Sequence, residues 1–230
     1  MGNIKRRKIQ FSPSLMCMDF LKIEEQLTLL NEKADIYHVD IMDGHYVKNF
    51  SLSPIFIEQI HKKATLPIDA HLMVQYPSDF IDMLIKAGAN YITVHSDTII
   101  KDAFRVMNKI KDLGCKTGVA LNPANSLDEI KYYIDILDKV TLMTVDAGFA
   151  GQKFIPQMLS KINELIKIRE IKGLNFLIEV DGSCNEHTFK QLYETGVDVL
   201  IVGSSGLFNL DSDISVAWNK MMDIFNRCIG

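Results

Sequence analysis

Among the ionisable side chains inside segments that otherwise read as buried β-strand, four stand out near the C-terminal ends of their strands. They are His38 and Asp40 in His-Val-Asp-Ile-Met, His71 in Asp-Ala-His-Leu-Met, and Asp181 in Glu-Val-Asp-Gly. Strand side chains alternate between faces, so His38, Asp40 and Met42 share one face while Val39 and Ile41 take the other, which is expected to face helices. By the same period His71 pairs with Met73, and Glu179 with Asp181. Two imidazoles and two carboxylates near the C-terminal ends of their strands can hold one divalent metal ion, with both members of His38-x-Asp40 reaching it. A lone buried histidine is more often a hydrogen-bonded core residue, and a lone strand-end aspartate more often caps a loop. Four such groups together are costly to bury unless they pair or share a cation, and this favours a site. His95, at the end of a further strand, has weaker support and is not assigned to it.

A second set of candidates is backbone. Gly148-Phe149-Ala150-Gly151, Gly182-Ser183 and Gly203-Ser204-Ser205-Gly206 follow three successive strands. Glycine-rich turns let amide N–H groups close on a phosphate. Any one of them reads as an ordinary turn, but three at corresponding places predict a phosphate-binding rim.

Elements that could bring these groups together follow from an alternation of short β-branched runs with stretches of helical periodicity, the sequence form of repeated βα units. Strands are expected at 9–14, 36–42, 67–73, 91–95, 116–121, 140–145, 176–181 and 199–203. Amphipathic helical segments are expected at 79–87, 102–113, 156–171 and 185–195. Several helices run into glycine-containing turns before the next strand, at Gly88, Gly114 and Gly196, as a left-handed helix cap requires. Eight similar units in 230 residues favour a single-domain α/β architecture, the closed (β/α)8 barrel, whose active sites lie at the C-terminal ends of the strands. An open dinucleotide-binding sheet would carry G-x-G-x-x-G after the first strand, where this chain has Ser14-Leu15-Met16-Cys17. The expected division is a basic tail at 1–8 and a barrel domain at 9–230.

Composition narrows the function classes. The chain is 47% hydrophobic and 23% charged, with a formal net charge of −4, as in soluble globular proteins. Lys5, Arg6, Arg7 and Lys8 form one basic cluster, and the remainder carries 21 basic against 29 acidic side chains. A net acidic body is a poor partner for a phosphate backbone, so nucleic-acid binding would have to rest on the terminal cluster alone, and neither nucleic acid nor a membrane is expected as a partner. No apolar run reaches the length of a membrane span, and no secretion signal is read at the N-terminus, so a cytoplasmic protein is expected. Cys17, Cys115, Cys184 and Cys228 lie far apart without a C-x-x-C pair, and reduced thiols are expected rather than disulfides or a thiolate metal site.

Taken in order, Ser12-Pro13-Ser14-Leu15, His38-Val39-Asp40-Ile41-Met42-Asp43-Gly44, His71-Leu72-Met73, Gly148-Phe149-Ala150-Gly151-Gln152 and Glu179-Val180-Asp181-Gly182 resemble the ribulose-phosphate 3-epimerase family over nearly the whole chain. The resemblance implies a (β/α)8 barrel that inverts C3 of a ketose phosphate with one divalent ion, zinc first, with Mn2+, Co2+ or Fe2+ as alternatives. It implies His38, Asp40, His71 and Asp181 as metal ligands, Asp40 and Asp181 also as the acid/base pair, and Ser14 and His71 as substrate contacts. Gly148, Phe149, Ala150, Gly151, Gly182, Ser183, Gly203, Ser204 and Ser205 would serve the phosphate loops, and a homo-oligomer is expected. Within the family, Leu15-Met16-Cys17-Met18-Asp19, Lys131-Tyr132-Tyr133-Ile134, Asp181-Gly182-Ser183-Cys184-Asn185 and Ser205-Gly206-Leu207-Phe208-Asn209 are more similar to the branch acting on D-allulose 6-phosphate than to the pentose enzymes. D-ribulose 5-phosphate is the alternative substrate. Ala147 departs from the family pattern, which has proline before Gly-Phe, and a looser loop is expected there.

The chemistry stands without the family name. Inverting a carbon beside a carbonyl removes a proton on one face and delivers one on the other, so two carboxyl groups must begin in opposite protonation states. Charge that develops on the enediolate oxygens calls for a cation. A metal-dependent aldolase or hydrolase could use the same donor set, and a barrel that only binds a sugar phosphate is the non-catalytic alternative.

Overall fold

The computed structural model describes residues 8–230. Eight parallel strands form one sheet: β1 (Gln10–Pro13), β2 (Tyr37–Met42), β3 (Ile68–Met73), β4 (Tyr91–His95), β5 (Lys116–Leu121), β6 (Lys139–Met143), β7 (Leu177–Asp181) and β8 (Val199–Val202). The sheet runs β1-β8-β7-β6-β5-β4-β3-β2, and a parallel bridge between Ser14 and His38 joins β1 to β2. The architecture is the expected single-domain (β/α)8 barrel. Of the expected basic tail, residues 1–7 lie outside the described residues. Lys8 ion-pairs with Asp35 at 3.6 Å.

Among the described residues, six α-helices lie between strands, α1 (Ile23–Lys33), α2 (Pro54–His61), α3 (Ile81–Ala87), α4 (Ala103–Asp112), α5 (Met158–Lys172) and α6 (Phe189–Thr195), and α7 (Ile214–Ile229) follows β8. Their apolar faces explain why they pack. On α7, Ile214, Ala217, Trp218, Met221 and Phe225 are buried at helical spacing, and Phe11 of β1 meets the Trp218 and Phe225 rings edge-on. Gly88 ends α3 with φ of +109°, and a Cβ there would lie 2.4 Å from the His61 ring, so glycine answers both conformation and space. Between β5 and β6 the chain makes only two short 3-10 turns, Leu127–Glu129 and Ile134–Ile136.

The two faces of the strands differ sharply in character. Val39, Ile41, Ala70, Leu72, Ile92, Val94, Val140, Leu142, Ile178 and Val180 belong to the main apolar core, together with buried faces of the helices. The opposite strand faces carry buried polar groups: Ser12, Ser14, His38, Asp40, Asp69, His71, Thr93, His95, Lys139, Thr141 and Glu179. The fold therefore derives its main apolar burial from strand-on-helix packing, and the alternate faces are available for chemistry.

Candidate active site

β2 and β3 pair in a register that sets Asp40 beside His71 and His38 beside Asp69. This places His38 Nε2 3.0 Å from His71 Nδ1. Asp40 Oδ1 lies 3.3 Å from His38 Nε2 and 3.4 Å from His71 Nδ1. From β7, Asp181 Oδ2 approaches the same two nitrogens at 3.7 and 3.6 Å. One ligand-type atom from each of the four residues falls within a 4.8 Å cluster. All four anticipated polar residues are thus brought together, with His38 and His71 fully buried.

The environment separates the two carboxylates. Burial pushes Asp40 up, but the His38 and His71 imidazoles outweigh it and hold the group well below the ordinary carboxylate range. The Ser14 hydroxyl donates to Asp40 Oδ2 at 2.7 Å, which also favours the ionised form. For Asp181 burial dominates, the imidazoles oppose it and the nearby Asp40 charge adds to it, raising the pKa to about 6. His38 is pulled down by burial, yet Asp40 and Asp69 overcome that and raise it well above its ordinary value. Two crowded carboxylates and a pair of facing imidazole nitrogens fit a divalent cation by donor chemistry.

A second buried layer lies behind this cluster. Asp69 Oδ2 accepts from His38 Nδ1 at 2.9 Å, and Asp69 Oδ1 accepts from the Thr93 hydroxyl at 2.7 Å. The Lys139 ammonium donates to Asp69 Oδ2 and, at 2.7 Å, to Glu179 Oε1. Burial opposes the charge on Lys139, but its two carboxylate partners raise its pKa. Glu179 shares a strand face with Asp181 as alternation requires, but two residues along a strand is about 6.6 Å, and its partners are Lys139 and Thr141. His38, Asp69 and Glu179 also converge closely, with the lysine already supplying a cation there. Sequence reasoning misses Lys139 and Asp69, although a lysine opening an apolar strand is a usable signal. His95 does touch the cluster: its Nε2 is 2.9 Å from His71 Nε2, and burial, reinforced by His71, holds its pKa well below the ordinary value.

The residues singled out in the loops line one cavity with Asp40 and Asp181. Its wall includes Ser14, Gly148, Phe149, Ala150, Gly151, Gly182, Ser183, Gly203, Ser204 and Ser205, together with Met42 and Met73. The loops are tied to one another. Gln152 donates to the carbonyls of Asp146 and Phe149 at 2.6 and 2.8 Å, the Ser183 hydroxyl donates to the Gln152 carbonyl, and Asn185 Nδ2 donates to Ser205 Oγ at 3.0 Å. Ala147 packs against the Met42, Val47 and Met73 cluster, and Asn49 Nδ2 donates to the Gly148 carbonyl at 2.7 Å. Side-chain bonds thus tie down the loop in which proline is missing.

Solved structures share the barrel fold at low sequence identity. The chain superposes on KGPDC from Streptococcus mutans with a TM-score of 0.72 at 16% identity, covering 96% of this chain and 99% of that one. Against 3-hexulose-6-phosphate synthase from Salmonella typhimurium the TM-score is 0.68 at 16% identity, with 96% and 100% covered. Sequence relationships reach further. A protein from Bacillus subtilis (strain 168) named ribulose-phosphate 3-epimerase is 38% identical over 199 residues, 86% of this chain and 91% of its own length. One of the same name from Aquifex aeolicus (strain VF5) is 38% identical over 214 residues, 93% of this chain and 95% of its own. Residues 10–208 match the family described as the ribulose-phosphate 3 epimerase family, and with the barrel and its clustered acid residues in place, the chain belongs to that family of carbohydrate-phosphate epimerases.

Proposed function

We propose that the chain inverts C3 of a phosphorylated ketose, D-ribulose 5-phosphate, in keeping with relatives named ribulose-phosphate 3-epimerase. The observation that carries this reading is the convergence of Asp40 and Asp181 on the same two imidazole nitrogens, where their surroundings push the two carboxyl groups in opposite directions. An ionised carboxylate takes the C3 proton from one face, and a carboxyl group that retains its proton delivers one to the other. Ser14, bonded to Asp40 at 2.7 Å, orients that carboxylate. The phosphate lies on the loops at Gly148–Gly151, Gly182–Ser183 and Gly203–Ser205, where its binding energy positions the distant carbon. His38, Asp40, His71 and Asp181 would hold a divalent ion, Zn2+ by the preference of a mixed nitrogen and oxygen donor set. When bound, it supplies positive charge against the negative charge that develops on the substrate's oxygens. Met42 and Met73 line the cavity as a soft apolar wall that excludes water from the reacting carbon.

A hexose reading, with D-allulose 6-phosphate as substrate, is favoured by one feature. Ser183 is a non-glycine residue with φ of +52°, within the Asp181-Gly182-Ser183-Cys184-Asn185 segment that resembles the hexose branch. A strained residue that lines the cavity and is fastened to Gln152 suits a specificity role. Side-by-side kcat/KM values for the two phosphates test the choice. Preference for ribulose 5-phosphate supports the primary reading, and a clear preference for allulose 6-phosphate replaces it. A cytoplasmic setting suits the four free cysteines.

A further inference from the structure

His71 and His95 bring their Nε2 atoms within 2.9 Å, and two imidazole nitrogens at that distance share one proton. There are two ways to place it. If His95 donates, neutral His71 keeps its own proton on Nδ1, the atom that lies 3.0 Å from His38 Nε2 and faces Asp40 and Asp181. That proton occupies the lone pair a metal needs. If His71 donates from Nε2, its Nδ1 is bare and aimed into the cluster, and His95 must accept.

From this geometry we infer that His95 is a positioning residue that accepts the Nε2–H of His71 and thereby commits His71 to binding a divalent ion through Nδ1. The inference rests on the proposed metal site and extends it to a residue that neither ligates the ion nor lines the substrate cavity. Asp69 performs the matching task for His38 by accepting from its Nδ1 at 2.9 Å, which leaves Nε2 for the ion. The two ligand rings therefore present different nitrogens because their second partners approach from different sides.

His95 is built for this task at some cost. Its ring is fully buried, and its Nδ1 meets no hydrogen-bond partner among the described residues. Carrying the proton there leaves a buried donor unsatisfied, a cost the fold tolerates where function requires it. The ring is held by Tyr46, whose ring centroid lies 4.8 Å away. Tyr46 in turn donates to Asp97 at 2.9 Å and accepts from Asn122 at 2.6 Å.

The test compares wild type, His95→Phe and His95→Gln for Zn2+ affinity by competition with a chelator, for the imidazole 15N shifts of His71 in the zinc-loaded protein, and for thermal unfolding with and without zinc. Wild type is expected to show the Nε2–H form of His71. His95→Phe should bind Zn2+ about 10- to 100-fold more weakly, and His95→Gln, whose side-chain carbonyl can accept, should recover most of the loss. The zinc-induced rise in Tm should shrink in His95→Phe, whereas a residue that only fills space would lower both Tm values alike. Unchanged zinc affinity in His95→Phe, or an Nδ1–H form of His71 in loaded wild type, overturns the inference while the metal site stands. Failure of wild type to bind Zn2+ or any other divalent ion overturns the site reading and this inference with it.

Discussion

Asp40 and Asp181 reach the same two imidazole nitrogens, at 3.3 and 3.4 Å from one carboxylate and 3.7 and 3.6 Å from the other, yet they hold protons with opposite tendency. Asp40 is the closer of the two and accepts a hydroxyl hydrogen bond, so the imidazoles win over burial. Asp181 stands farther off and also feels the Asp40 charge, so burial wins. Replacing either by asparagine keeps the shape and removes one proton carrier. Asp40→Asn and Asp181→Asn are each expected to lower kcat by about 10²- to 10⁴-fold, with metal content determined on the same samples. Turnover near wild type in either variant contradicts the two-acid account.

The raised pKa of Asp181 sets one pH response for both directions. Each acid takes the proton in one direction and gives it in the other, so the active enzyme carries one proton on the pair whichever epimer it binds. With Asp40 held low, kcat/KM should fall as pH rises through the pKa of Asp181, at about 6 for the group as it stands and lower with a cation beside it. Because the two epimers differ by no proton, profiles measured from either should superimpose. A rate that stays flat through this range, with no limb on the alkaline side, argues against this assignment.

Lys139 is fully buried between Asp69 and Glu179. Lys139→Met leaves both carboxylates without their cation and is expected to destabilise the fold by about 3–5 kcal/mol, as read from urea unfolding. Asp69 has its folded pKa below the ordinary 3.8, because Lys139 and His38 outweigh burial. Its stabilisation is therefore complete above about pH 4 and drains as pH falls further. The variant should lose part of that acid dependence, and a stability within error of wild type at pH 7 contradicts the charge-pair role.

Gly206 meets β7's loop so closely that a Cβ would lie 2.1 Å from the Cys184 carbonyl oxygen. Gly206→Ala must push the loop after β8 away from the one after β7, at about 1–3 kcal/mol. Since residues of both loops line the cavity, at the end proposed for the phosphate, KM should rise more than kcat falls. An unchanged KM would show that these loops do not hold the phosphate.

The barrel and the four-residue cluster can be read from sequence because charged side chains break otherwise apolar strands, and a period of two says which of them share a face. The layer behind them cannot. Asp69 and Lys139 stand near the starts of their strands, where a polar residue reads as a solvated lead-in, and only closure of the barrel brings β3, β6 and β7 together. Glu179 is legible as a neighbour of Asp181 on one face, but periodicity carries no depth. The β5–β6 connection keeps its apolar anchors, Leu127, Ile130 and Ile134, without enough regular spacing for a helix.

The central claim, proton exchange at C3 by two opposed acids, is tested most directly by incubating the metal-loaded enzyme with D-ribulose 5-phosphate in deuterated water and following the sugar by NMR. The account predicts the C3 epimer with solvent deuterium at C3, an intact carbon chain and no released phosphate. A product that retains its original C3 proton, or cleavage of a carbon–carbon bond, would contradict it.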